Sequence, residues 1–212
     1  MTEVLRVDAT HPDDAAMARA AACLRSGGLV AFPTETVYGL GVHALDPAAV
    51  ARLFEAKQRP ADDPLIVHIS AFAAVERLAV DVPDTARQLA ARFWPGPLTL
   101  VVPARPGLAD GVRSSTGRVG IRVPAHGVAQ ALALAFGSPI TATSANASGA
   151  PPTADPDEVR RQLPALEWLI DAGRLAGGPP STLVQVEGGH VQVLREGAVS
   201  RSRVLESLVP AR

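Results

Sequence analysis

The residues best suited to chemistry in this chain collect in short polar segments, each set against an apolar run. Pro33-Thr34-Glu35-Thr36-Val37-Tyr38-Gly39-Leu40-Gly41 directly follows the apolar run Leu29 to Phe32. The hydroxyls of Thr34 and Thr36 suit a small polar ligand, and Gly39 and Gly41 permit close backbone approach. The same residues also suit a capped turn before a helix. Lys57-Gln58-Arg59-Pro60 holds the only lysine of the chain. A mobile ammonium and a planar guanidinium two positions apart suit a polyphosphate. Two cations at a helix C-terminus are explained equally well by the helix dipole.

Three further segments carry candidate groups. His68 lies in Pro64 to Ile69, PLIVHI, and shares strand parity with Ile66. Arg118, Gly120 and Arg122 share parity in the stretch from Arg113 to Pro124, and two arginines on one strand face call for an anion or for acidic neighbours. In Thr141 to Gly149, Ser144, Asn146 and Ser148 alternate and would face together if extended. Such groups orient a nucleotide without adding charge, or form an ordinary polar turn. Arg195-Glu196-Gly197-Ala198 closes a strand before the last helix, and Ser181-Thr182 precedes a neighbouring strand.

Several chemistries are excluded by pattern. No G-x-x-x-x-G-K-[ST] loop and no G-x-G-x-x-G fingerprint occurs, so an ATP site must be of another kind. The histidines lack zinc-site spacing, Cys23 is the only cysteine, and no nucleophile triad is forced. Lys and Arg number 20 against 21 Asp and Glu, a formal net charge of -1, unlike a strongly basic nucleic-acid binder. No segment reads as a signal peptide or a membrane span, which makes the cytoplasm the default expectation.

The elements that must position these groups are legible as an alternation. The 212 residues, 47% hydrophobic, suit one sizeable core. Strands are expected at Val4–Val7, Leu29–Phe32, Pro64–Ile69, Leu98–Val102, Val119–Val123, Ile140–Thr143, Leu166–Ile170, Thr182–Val186 and Val191–Leu194. Helices are expected from Pro12 to Leu24, from an Asp46 cap to Lys57–Arg59, near Ala71–Leu78, and over Asp84–Phe93. Three more follow at Val128–Phe136, Asp155–Leu163 and Ser200–Leu208, with Ser200 as a cap. Cys23, in an apolar helical run, reads as core. Interleaved elements without a clean βαβ repeat predict an α/β fold with a mixed sheet in a single domain, 1–212.

In order along the chain, PTETVYGLG, FEAKQRP, PLIVHI, FWPGPLT, GRVGIRVP, TSANASG, STLV and LREGAVS closely resemble the YrdC/TsaC family of threonylcarbamoyl-AMP synthases. The resemblance covers nearly the whole chain. It implies a twisted mixed sheet, parallel and antiparallel, with flanking helices around a deep, positively lined cavity. It also implies synthesis of threonylcarbamoyl-AMP and pyrophosphate from L-threonine, bicarbonate and ATP, with magnesium on the phosphates. By correspondence, Lys57 and Arg59 match the family's KxR element, Ser144 and Asn146 its SxN element, and Arg195 a nucleotide-contacting arginine. These form the ATP side, with Lys57, Arg59 and Arg195 catalytic. Thr34, His68, Arg122, Thr143 and Ser181 form the threonine side. No metal ligand is assigned to a protein side chain. The product would pass to a threonylcarbamoyl-transferase complex acting on tRNA, with weak tRNA binding and no membrane association.

The resemblance has departures. Many relatives place a lysine where Asp63 stands, which removes a cation beside the phosphates but leaves Lys57 and Arg59 intact. The chain ends soon after the REG element, which implies the short form, without the C-terminal domain by which longer relatives cover the cavity. Threonine's methyl is expected against Thr34, Val37 or Leu40. Lys57 is expected to contact phosphate without supporting the core. The alternatives are a non-catalytic tRNA or double-stranded RNA binding module, or a carbamoyl-transfer domain related to hydrogenase maturation.

Overall fold

The computed structural model describes residues 2–60 and 63–209. Ten strands form one sheet: β1 (Glu3–Arg6), β2 (Val30–Pro33), β3 (Tyr38–Gly41), β4 (Ile66–His68), β5 (Leu98–Pro103), β6 (Arg118–Arg122), β7 (Ile140–Ser144), β8 (Trp168–Asp171), β9 (Thr182–Glu187) and β10 (His190–Arg195). Six α-helices join them: α1 (Asp14–Arg25), α2 (Pro47–Lys57), α3 (Asp84–Phe93), α4 (Gly127–Phe136), α5 (Pro156–Gln162) and α6 (Arg201–Glu206). The helix expected near Ala71–Leu78 is present as a 3₁₀ helix, Phe72–Arg77.

Local chemistry sets the helix ends. Asp13, Asp46, Asp155 and Ser200 each accept backbone N–H bonds at their helix N-termini. Pro47 occupies the first turn of α2, where its missing N–H costs nothing. Gln58, at φ 52°, turns the chain out of α2 directly after Lys57. Cys23 is half-buried rather than core, and burial pushes its thiol up to about 11.

The sheet order is β1-β8-β2-β3-β7-β4-β6-β5-β9-β10. β1·β8, β2·β8, β4·β6 and β5·β9 are parallel, and β2·β3, β3·β7, β4·β7, β5·β6 and β9·β10 antiparallel. The sheet is therefore mixed, with helices flanking it. β8 and β9 stand seven steps apart, about 34 Å in a flat sheet. The link over residues 172–181 reaches only roughly 36–40 Å when fully extended. Yet this link takes a detour: the Gly173 carbonyl accepts from the Tyr38 hydroxyl, and Gly178 lies beside Thr36. The sheet must be curled.

Strand alternation divides the core. Ala31, Leu40, Val67, Ile121, Leu100 and Val184 lie in the larger apolar cluster on one face, which also takes residues of α2 and α3. Val30, Phe32, Ile140 and Ala142 lie in a second cluster with α1 and α4 on the other. On that second face, register continues from Phe32 and Ala142 to Ile66, Gly120, Val101, Leu183 and Gln185. Those five residues are only half-buried and belong to neither cluster. They form an open floor on a curled sheet. Among the described residues, no helix is long and apolar enough to cross a membrane.

Candidate active site

The open floor is ringed by polar side chains that the sequence singled out. Thr34, Lys57, His68, Arg122, Asn146 and Ser181 are all among the buried polar residues, at 3–5% exposure. Burying six such groups is costly unless each is bonded or reserved for a ligand.

The Pro33–Gly41 segment is a β-hairpin, not a turn into a helix. β2 and β3 pair from Val30↔Gly41 to Pro33↔Tyr38. Thr34 to Val37 form its tip, where the Thr34 hydroxyl donates to the Val37 carbonyl at 2.6 Å. A Cβ added at Gly39 or Gly41 would lie 3.4 or 3.0 Å from the Phe32 ring. Gly39 thus makes way for Phe32, and Gly41 first for the Thr141 carbonyl and the Ile140 side chain of β7; Phe32 reaches the His68 ring edge-on at 5.9 Å between centroids. Leu40 points to the opposite face, into the larger apolar cluster.

His68 and Arg122 are register partners on β4 and β6. Burial, and then the Arg122 charge, hold the imidazole well below its ordinary pKa, and its Nδ1 has no hydrogen-bond partner. Arg122 donates through Nε to the Gly96 carbonyl at 2.9 Å and forms an ion pair with Glu35. Arg118 pairs with Glu187. Both arginines on this strand face are therefore met by acidic neighbours.

Glu35 is the residue the sequence reading missed. β3 and β6 are three steps apart, about 14 Å if flat, so the hairpin tip must fold over the floor to bring Glu35 to Arg122. One Glu35 oxygen also accepts from the Ala125 N–H at 3.1 Å; the other, Oε2, is buried without a partner. The available signal was a lone carboxylate in a hydroxyl-rich turn, in a chain with an arginine pair still seeking acids.

A second group gathers at the end of β7. Lys57, the last residue of α2, is 3% exposed. Its Nζ donates to the Ser144 carbonyl, and to that of Asn146 at 2.7 Å. Contrary to expectation, its head group supports local structure. Burial, then the Arg59 charge, lower its pKa from 10.5 to about 8. Arg59 donates to the Thr143 hydroxyl at 2.9 Å. It is not left free by Asp63, which pairs with it at 2.8 Å; Ala61 and Asp62 of the same loop lie outside the described residues. The chain turns after Ser144, so Ser148 is exposed and does not join Ser144 and Asn146. Asn146 donates both amide hydrogens, to the Ala147 and Ala150 carbonyls, and its Oδ1 is buried and unpartnered.

A third group joins β5, β9 and β10. The Ser181 hydroxyl bonds that of Thr99 at 2.9 Å, and Arg195 donates to the Ser181 carbonyl at 2.9 Å. A Cβ at Gly197 would lie 2.1 Å from the Pro180 carbonyl oxygen, so only glycine fits the REG turn that holds Arg195 here. Two cavities, of about 400 and 420 Å³, lie away from this ring, one lined by Arg19, Cys23, Arg52 and Trp168, the other by Thr2, Asp157, Arg160 and Arg161. Among the described residues no group of three or more His, Cys, Asp or Glu could hold a metal ion.

The Sua5/YciO/YrdC family model, described as "Telomere recombination", matches residues 22–197. This chain belongs to the Sua5/YciO/YrdC family. Two relatives are named threonylcarbamoyl-AMP synthase. The Pyrococcus abyssi protein is 46% identical over 181 residues, covering 85% of this chain and 53% of its own length. The Bacillus subtilis protein is 40% identical over 199 residues, covering 93% of this chain and 58% of its own. The chain thus spans little more than half the length of these relatives. The solved structure of P. abyssi Sua5 complexed with L-threonine superposes with a TM-score of 0.92 at 40% identity, covering 98% of this chain and 61% of that one. The segments that carry the buried polar residues, from PTETVYGLG to REG, fall within the matched residues.

Proposed function

We propose that this chain is an L-threonylcarbamoyladenylate synthase. The observation that carries the reading is the ring of buried polar groups around an open sheet floor, with His68 Nδ1 and Asn146 Oδ1 buried and unpartnered. It is supported by likeness to proteins named for that activity and to one solved with L-threonine.

In this reading the amine of L-threonine condenses with bicarbonate, losing water and a proton, to give N-carboxythreonine. The new carboxylate attacks the α-phosphate of ATP, forming a mixed anhydride and releasing pyrophosphate. A carboxylate needs no general base, which suits a site without a triad. Arg122, His68, Thr34, Thr143 and Ser181 hold the amino acid. Arg59, Arg195, Ser144 and Asn146 hold the nucleotide, with Asn146 Oδ1 an acceptor fixed by its two amide donations. Lys57 fixes the Ser144–Asn146 turn by its two carbonyl contacts and adds its charge to the phosphate field. Magnesium, where it accompanies ATP, would neutralise the leaving pyrophosphate. Holding both substrates on one floor removes most of the entropic cost of their meeting. The product serves a transferase complex that modifies tRNA.

The test is product analysis. With carbon-13 bicarbonate, threonine and ATP, mass spectrometry should find the label in an adenylate of threonine. An unlabelled adenylate, or none, contradicts the reading.

A further inference from the structure

Glu35 and Arg122 form an ion pair across the fold of the sheet, between the β2–β3 hairpin tip and the last residue of β6. The pair is not saturated. Arg122 is further held by the Gly96 carbonyl and Glu35 by the Ala125 N–H, which fixes both head groups. Glu35 Oε2 is buried with no donor. A carboxylate oxygen in that state calls for a cationic or N–H donor. Among the neighbours, Arg122 and Ala125 already engage Oε1. His68, beside Arg122, is held neutral by burial and the arginine's charge, so it offers no cation. His126, at the start of α4, is held below its ordinary pKa by burial, although the Glu35 charge raises it. Its ring Nδ1 is the acceptor for the Val128 N–H.

An ion pair of fixed geometry complements a zwitterion. We infer that Glu35 is a specificity-determining residue that receives the α-ammonium of the amino-acid substrate on Oε2, while Arg122 faces its carboxylate. This deepens the proposed function and rests on it. It also gives the first step a direction. Threonine enters with an ammonium and a carboxylate, net charge zero. Condensation with bicarbonate forms an N–C bond, expels water and releases one proton to solvent. The nitrogen loses its positive charge and acquires an attached carboxylate. The group that Glu35 attracted is then repelled, and the new carboxylate moves away from Glu35, toward the nucleotide. An amino acid would be admitted as the zwitterion and a hydroxy acid of the same shape refused.

Calorimetric titration of L-threonine and of 2,3-dihydroxybutanoate, the same skeleton with hydroxyl for ammonium, tests this on the full chain. Wild type should bind threonine more tightly than the hydroxy acid. Glu35→Gln keeps the shape but removes the charge, and threonine affinity should fall about tenfold to a hundredfold, as for a charged hydrogen bond lost. Hydroxy-acid affinity should change much less than threonine affinity, since that ligand loses no ammonium contact and responds only to the altered Arg122, and ATP affinity should stay within about twofold. Glu35→Asp, which keeps the charge on a shorter arm, should recover part of the preference. Equal losses for both acids, or unchanged threonine binding in Glu35→Gln, would overturn the assignment. Wild type that binds no threonine would instead overturn the proposed function on which it rests.

Discussion

His68 and Arg122 stand side by side as partners on parallel strands, and burial together with the arginine's charge holds the imidazole neutral. A neutral histidine can accept a hydrogen bond from a ligand hydroxyl at its bare nitrogen without adding charge beside Arg122.

That arrangement has a pH signature. Unfolded, His68 takes a proton near its ordinary value of 6.5; folded, it resists protonation until well below. The unfolded chain therefore binds more protons as pH falls below 6.5. The stabilising contribution is full above that pH and is lost below it, at up to about 1.4 kcal/mol per pH unit for one proton. His43 and His126 are lowered too, chiefly by burial, and add to the slope. Thermal melting from pH 7 to 5 should fall more steeply for wild type than for His68→Asn. Parallel slopes would show that His68 titrates freely.

Much of this site was legible because burial and parity are local properties. The helix caps at Asp46 and Ser200 and the pairing of Arg118 and Arg122 on one face follow from spacing alone. What the sequence hid is set by contacts between distant segments. Tyr38–Gly41 is a strand although glycine disfavours one, because side chains at Gly39 and Gly41 would meet Phe32 and the neighbouring β7 strand. Glu35 reads as one residue of a polar turn until the curl of the sheet brings Arg122 to it. Lys57 reads as a solvated helix end until the Ser144–Asn146 turn closes over it.

The Lys57 clamp predicts a stability cost. Lys57→Ala removes a donor from two carbonyls; that of Ser144 keeps the Asn146 N–H, and that of Asn146 is left without its side-chain donor, at about 1–3 kcal/mol. A helix-end charge alone would cost only about 0.3–1 kcal/mol. Denaturant unfolding should show a loss above the dipole range, with adenylate formation lost as well. The pH behaviour divides. Folded Lys57 titrates near 8 and unfolded Lys57 near 10.5, so the unfolded chain binds more protons between them. Over that window its contribution to stability rises with pH while activity that needs the ammonium falls. Stability unchanged in Lys57→Ala would reject the clamp.

Gly120 tests the floor itself. A Cβ there would meet Thr99 at 3.4 Å and Ile66 at 3.6 Å, which the strand tolerates, but would rise into the open face. Gly120→Ala and Gly120→Val should melt near wild type, because glycine in a strand interior is itself unfavourable. Substrate affinity should fall in that order, the larger side chain blocking more of the floor. Variants that melt normally and bind ATP and threonine as wild type would move the site elsewhere.

The most direct measurement is pyrophosphate release with each substrate omitted in turn. The wild-type chain should release pyrophosphate from ATP with L-threonine and bicarbonate together, and only at background without either. That pattern is the one expected when N-carboxythreonine is the nucleophile on the α-phosphate. Equal release without threonine would mean that water or another nucleophile attacks ATP, and would contradict the synthase assignment.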